Sequence, residues 1–306
     1  MKTYLFSPTF ILTMLNITDI QKRLKEHPEP NEVKEIRENI QRRFSDLTFI
    51  EEGHKYFLHK KDGTTKTMTS VTTICHEMFV PHVDWEEILQ RKALSLGVDS
   101  EELRREWKEK NITSTSNGTL THLFAEGYMH FFMGNIDLIP EPIKKMQYED
   151  GFLIPYGNKQ KAVAKYYEDL FHTEGLYPVM PEAQLYIDSE DNPYGINKDI
   201  SGTFDALFAF MDKNGKWCLS IRDWKTNASL ENDYNQRNGN MLVSPFDDLI
   251  NEDKSLYTLQ LSLYQLGLQQ LGYDIVDRKL LWLTENAEYF KVNVPDVTEK
   301  LINAFK

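Results

Sequence analysis

The stretch SGTFDALFAFMDKNGKWCLSIRDWKT, Ser201 to Thr226, decides the fold. It reads as two apolar strands, Ser201 to Met211 and Trp217 to Lys225. They meet at Asp212-Lys213-Asn214-Gly215-Lys216, where a three-residue loop ending in glycine suits a type I turn with a bulge. Pairing Asp212 with Lys216 and counting outward places Asp205 opposite Asp223. The same register puts Leu207, Ala209 and Met211 on one face with Ile221, Leu219 and Trp217, so a single apolar face runs up to two carboxylates at its end. A slip of one residue would destroy that agreement. Side chains two apart on a strand share a face, so Asp223 and Lys225 emerge side by side while Trp224 points away.

Two carboxylates this close repel each other, and one pKa rises unless a cation sits between them. Mg²⁺ resolves that conflict, because it takes hard oxygen ligands in an octahedral shell and keeps several waters. A neighbouring lysine can steer the attacking water and help deprotonate it, which makes the set a compact kit for hydrolysing phosphate esters. Gly202, just upstream, would let a phosphate backbone approach the strand. The bland alternative is that Asp205 begins a turn or binds an exposed lysine, since any charged strand edge supplies an Asp-x-Lys triplet by chance.

Outward from this hairpin, residues 17 to 45 predict two short helices broken at Pro28-Glu29-Pro30. Leu47 to Leu58 and Lys66 to Ile74 read as strands around a turn at Asp62-Gly63, followed by helices over Asp84 to Leu96 and Ser100 to Lys110. Asn117-Gly118-Thr119 reads as a turn and a threonine cap ahead of a helix from Leu120 to Phe132, on which His122 and Glu126 share a face. A helix is expected from Lys159 to His172 and a strand from Glu182 to Asp188. After the central hairpin come a polar, Asn-rich segment from Thr226 to Asp253, a helix from Ser255 to Leu271, and strands over Lys279 to Thr284 and Tyr289 to Val294.

The chain has 306 residues, 41% hydrophobic and 12% aromatic, enough for a substantial core in one large domain with or without an extension. No run reaches the roughly 18 apolar residues of a membrane span. The segment Tyr4 to Leu15 contains Pro8, lacks a small-residue cleavage site and reads as a loose N-terminus or a packed arm. With only Cys75 and Cys218, a disulfide framework, a zinc finger and a four-cysteine iron-sulfur cluster are excluded, and a reducing cytoplasm is expected. A net charge of −12 argues against coating nucleic acid by bulk electrostatics, though not against an enzyme that acts on it. Local basic clusters exist at Arg104, Arg105, Lys108 and Lys110 and at Lys159, Lys161 and Lys165, each of which could equally be a solvated helix face. Trp85, Trp107, Tyr128 and Phe132 are either core or platforms for unpaired bases.

In order along the chain, GTLTHLFAE (Gly118 to Glu126), Glu182 in PEAQLYI, SGTFDALF with Asp205, RDWKT with Asp223 and Lys225, and YTLQLSLYQ with Gln260 and Tyr264 resemble the PD-(D/E)XK nuclease superfamily. Within it they are most similar to the RecB-like exonuclease branch, which has phage-borne and mitochondrial members; the upstream TSVTTI (Thr69 to Ile74) also looks like text of phage members. The motifs span residues 118 to 265, about half the chain. The resemblance implies an α/β fold: a restriction-endonuclease-like core with a central mixed sheet flanked by helices, here over residues 46–306 behind an N-terminal helical extension, residues 1–45.

It further implies a Mg²⁺- or Mn²⁺-dependent phosphodiesterase with one or two ions, acting as an exonuclease on single-stranded or processed DNA ends in recombination, repair or phage DNA metabolism. His122, Asp205, Asp223 and the backbone carbonyl of Trp224 would be metal ligands, and Glu182 would touch metal or water. Lys225 would orient the nucleophilic water. Gln260, Tyr264, Thr119 and Gly202 would face the DNA. The setting would be the cytoplasm of a bacterial or phage-infected cell, with DNA as partner, no membrane, and a helicase or recombinase as a possible loader. Two other readings stay open: a structure-specific endonuclease of the same fold, and a nucleic-acid-binding or assembly module whose site has decayed. Gly-x-Ser-x-Gly, Walker and Gly-x-Gly-x-x-Gly motifs are absent.

Overall fold

The computed structural model of the chain describes residues 14–306, so the expectation for Tyr4 to Leu15 lies almost wholly outside the described residues. The helices are α1 Ile17–Glu26, α2 Asn31–Arg43, α3 Val71–Phe79, α4 Trp85–Leu96, α5 Ser100–Phe132, α6 Glu141–Gln147, α7 Asn158–Phe171, α8 Asp233–Asn238, α9 Asp253–Gln269 and α10 Thr298–Ala304. The strands are β1 Leu47–Ile50, β2 Lys55–His59, β3 Thr65–Ser70, β4 Tyr148–Glu149, β5 Phe152–Leu153, β6 Leu176–Ile187, β7 Ile200–Met211, β8 Trp217–Lys225, β9 Asp274–Leu283 and β10 Tyr289–Asn293.

The main sheet is mixed. It runs β1-β2-β3-β7-β8-β9-β10, with β6 along the other edge of β7. The β3–β7 and β8–β9 pairs are parallel and the rest antiparallel. Alternation along β7 sends Leu207 and Ala209 into one core with α2, α3, α9 and α10, and Ala206 and Phe208 into a second core with α1, α5, α6 and α7. The result is an α/β architecture whose central strands are buried on both faces, which is why β7 and β8 read as nearly continuous apolar text.

The hairpin register is the expected one: Leu207 pairs with Ile221, Ala209 with Leu219 and Met211 with Trp217. Asp212 N donates to Lys216 O at 2.8 Å, and Gly215 supplies the positive φ of +79° that closes the loop. The break at Pro28-Glu29-Pro30 separates α1 from α2 as expected, and α2 buries Val33, Ile36 and Ile40 in the same core as the sheet.

Three local expectations are corrected. Leu47 to Leu58 is not one strand but the β1–β2 hairpin, turning through Gly53 at φ +80°. The strand expected to Ile74 ends at Ser70, whose hydroxyl caps Thr73 N at 3.0 Å. Val71, Ile74, Cys75 and Phe79 then bury one helical face, and that spacing overrides the β-branched run. Thirdly, Asn117-Gly118-Thr119 forms no turn. α5 stays helical through it, with Thr119 and Thr121 hydroxyls donating back to the Thr115 and Asn117 carbonyls at 3.0 and 2.8 Å. Packing of Phe124, Ala125, Tyr128 and Met129 holds the C-terminal half of this 33-residue helix, and its ladder carries the weak segment along.

Candidate metal centre

Register explains how the acidic groups meet. On the β6–β7 ladder, Pro181 pairs with Ala206 and Ala183 with Phe204, which brackets Glu182 opposite Asp205. On β7–β8 the last rung is Ala206 with Arg222, so the next step outward sets Asp205 opposite Asp223. Glu182, Asp205 and Asp223 therefore form one row across three adjacent strands, where the β7–β8 ladder ends and the β6–β7 ladder skips a rung. Glu182 has φ +44°, a left-handed backbone for a residue with a side chain. Such strain persists only where the surroundings impose it, and it collects at functional sites.

From the long helix α5, His122 completes the row. Its Nδ1 lies 3.3 Å from Asp205 Oδ2, and Trp224 N donates to that same oxygen at 2.6 Å. Donor atoms of His122, Glu182 and Asp205 all lie within 4.8 Å of one another, a spacing that one ion can bridge. Glu126 lies one turn beyond His122, but the imidazole bonds Asp205 rather than Glu126. Asp223 is almost fully buried and ion-paired with Lys225 through Oδ2, yet that oxygen receives no well-aligned hydrogen bond. Lys225 Nζ also sits 3.8 Å over the ring of Tyr257 on α9, a contact that the sequence reading missed.

The electrostatics follow from this crowding. Burial first, then Asp205, Glu126 and Asp223, hold the Glu182 carboxyl well above the usual range. Asp223 is pushed up to about 6 by burial and by Asp205, against the pull of Lys225. Asp205 is held low: burial would raise it, but His122, Lys225 and the Trp224 N–H outweigh that. Burial would lower Lys225, but Asp223, Tyr257 and Asp205 win and keep it an ammonium. Paired as here, it is a donor and a point charge. The Glu182 and Asp205 carboxylates with the His122 imidazole in reach are a donor set that fits a hard divalent cation.

Glu182, Gln260, Tyr264 and Gly202 line a cavity of about 410 Å³ beside the row. Gln260 Nε2 donates to the Tyr264 hydroxyl at 2.8 Å. A Cβ at Gly202 would stand 2.6 Å from Tyr264 Cε1, so the missing side chain also seats the tyrosine. Thr119 is exposed on α5, three positions from His122. Tyr128 and Phe132 are core, whereas Trp85 and Trp107 are exposed. Arg104 pairs with Glu86 and Glu101, and Lys159 with Glu285 and the Thr226 carbonyl. The segment after Lys225 anchors Leu230, Leu242 and Phe246 in the main core. Among the described residues no helix is long and apolar enough to cross a membrane. Neither a protein-family model nor a curated protein matches this chain.

Proposed function

We propose that the chain is a divalent-metal-dependent DNA exonuclease of the PD-(D/E)XK type, RecB-like branch, with a restriction-endonuclease-like core. The observation that carries this reading is the row of Glu182, Asp205 and Asp223, with His122 against Asp205 and Lys225 against Asp223. Two carboxylates with donor atoms within 4.8 Å of each other and of His122, and a third beside them in the row, are costly in a protein that does not use them with a cation.

His122, Glu182, Asp205 and Asp223 would hold Mg²⁺ or Mn²⁺, one or two ions, with the Trp224 carbonyl as a further oxygen. When bound, the ion supplies the positive charge that lowers the pKa of water and offsets charge on the phosphate oxygens. Trp224 N–H fixes the direction of the Asp205 carboxylate, and the Lys225 ammonium orients the attacking water or a nonbridging oxygen. Gln260 and Tyr264 present a hydroxyl and an amide to the substrate strand.

The test incubates the protein with Mg²⁺ or Mn²⁺ and 5′- or 3′-labelled single strands, duplexes and circles, with Asp205→Asn as control. Cleavage from ends that the control lacks supports the reading, and cutting of covalently closed circles transfers it to an endonuclease. Calorimetry that detects no divalent binding would instead leave an inactive nucleic-acid-binding module.

A further inference from the structure

The cavity beside the carboxylates is lined by two chemically different sets of side chains. One is Glu126 and Glu182. The other is three rings that the β1–β2 hairpin sets together: Phe49 lies 4.7 Å from Tyr56 and 4.9 Å from His54 between centroids, with His54 and Tyr56 5.7 Å apart. Phe49 and Tyr56 are register partners, so their contact is what an ordinary hairpin uses to hold itself. His54 is not explained that way. It is exposed at the turn of the hairpin, where its N–H donates to the Glu51 carbonyl at 3.1 Å and its φ is +50°. Tyr56 is buried and its hydroxyl meets Thr203 Oγ1 at 3.1 Å, which fixes the floor under the other two rings.

The lining also has neutral polar side chains, Gln184, Gln260 and Thr203, and among the described lining residues none is Lys or Arg. Ring faces to stack on, amide groups to hydrogen-bond and no cation for a phosphate are the features of a site for a neutral planar heterocycle. A volume near 410 Å³ suits one such group rather than a duplex.

We propose that this cavity is a subsite for one unpaired nucleobase of the nucleotide next to the scissile phosphate, stacked on the Phe49 ring with His54, at 77° to it, against the base's edge; the assignment of that phosphate rests on the nuclease reading above. A base inside a duplex has both faces covered and must leave the stack to enter. The substrate class is therefore a strand that is unpaired at the nucleotide beside the cut.

Two measurements test this separately from the nuclease reading. In the first, deoxyadenosine monophosphate is titrated into the metal-free full chain, the Phe49→Ala and His54→Ala variants and the conservative Phe49→Tyr. Binding by the wild type and Phe49→Tyr that weakens on the order of tenfold in the alanine variants supports the subsite, whether or not the protein cuts DNA. In the second, single strands with an abasic 5′ or 3′ terminal nucleotide are compared with normal strands. The wild type should show a KM raised on the order of tenfold for one abasic end, and Phe49→Ala should show no such difference. Absence of nucleotide binding together with equal KM on abasic and normal ends would overturn the subsite while leaving cleavage intact. Binding without any cleavage would overturn the nuclease reading alone, and absence of both would overturn both.

Discussion

Trp224 donates its backbone N–H to the Oδ2 of Asp205 at 2.6 Å, so a side-chain carboxylate takes a main-chain donor at the point where the β7–β8 ladder ends. The same oxygen faces His122 Nδ1. One acid thus couples the sheet to helix α5, and its charge is what raises the half-buried imidazole above its ordinary range. In that balance burial pulls His122 down, and Asp205 more than compensates.

Asp205→Asn removes the compensating charge and leaves the burial. The His122 imidazole titration, followed by NMR without metal, should therefore move from above the ordinary histidine value to lower pH. An unchanged midpoint would mean that His122 does not depend on Asp205.

Glu182 gives a pH-dependent stability with a definite sign. Its folded carboxyl sits well above the usual range, so the native chain holds a proton that the unfolded chain has released. Its contribution is fully present below the unfolded value, about 4.3, and is lost as pH rises through the folded one. Asp223, raised to about 6, acts in the same direction between roughly pH 4 and 6. Glu182→Gln removes the lost term, so the metal-free variant should melt higher than wild type at pH 8, by about 1 kcal/mol or roughly 2 °C, with the gap closing towards pH 4. Added Mg²⁺ should raise wild-type melting more at pH 8 than at pH 5 and should do little for the variant. Thermal melts at three pH values with EDTA or Mg²⁺ decide this.

The buried Asp223–Lys225 pair predicts strong non-additivity. Each partner is almost wholly enclosed, so removing either strands a charge, at a cost of about 3 kcal/mol or more. The double variant Asp223→Ala/Lys225→Ala strands neither. Urea unfolding should give a double-variant loss smaller than the sum of the singles by about 1–3 kcal/mol. Additive losses would show that the pair does not interact in the folded chain.

Much of this centre was legible because the hairpin Ser201 to Lys225 has two independent checks on its register, a glycine-closed loop and an apolar face that only one alignment completes. The row formed by Asp205 and Asp223 follows from counting. The place of Glu182 beside Asp205 was not countable, because β6 starts at Leu176, earlier than expected, and carries a bulge between Pro178 and Met180 that shifts its phase. Local text misled at Asn117 to Thr119, where capping residues sit inside a helix that packing elsewhere holds. Tyr257 and Tyr56 were invisible for a different reason: each touches the site from an element whose own spacing describes only a core face.

Gly202 and Tyr264 supply the sharpest packing test. A methyl group at 202 would stand 2.6 Å from Tyr264 Cε1 and 3.2 Å from Val71 Cγ2, with the tyrosine buried and its hydroxyl bonded to Gln260. The ring cannot swing freely into solvent, so Gly202→Ala should cost about 1–3 kcal/mol through overpacking. If the glycine served only to admit a phosphate, the folded chain would tolerate alanine and lose substrate affinity alone. Seating the tyrosine predicts the reverse order of effects: melting falls first, and shortening the neighbour restores it. Gly202→Ala combined with Tyr264→Leu should therefore recover at least part of the stability that Gly202→Ala loses, because the added methyl occupies space that the ring has vacated. Denaturant unfolding of the two single variants and the double variant measures the coupling, and a double variant that is merely the sum of two losses would return Gly202 to its first reading as an opening for the substrate.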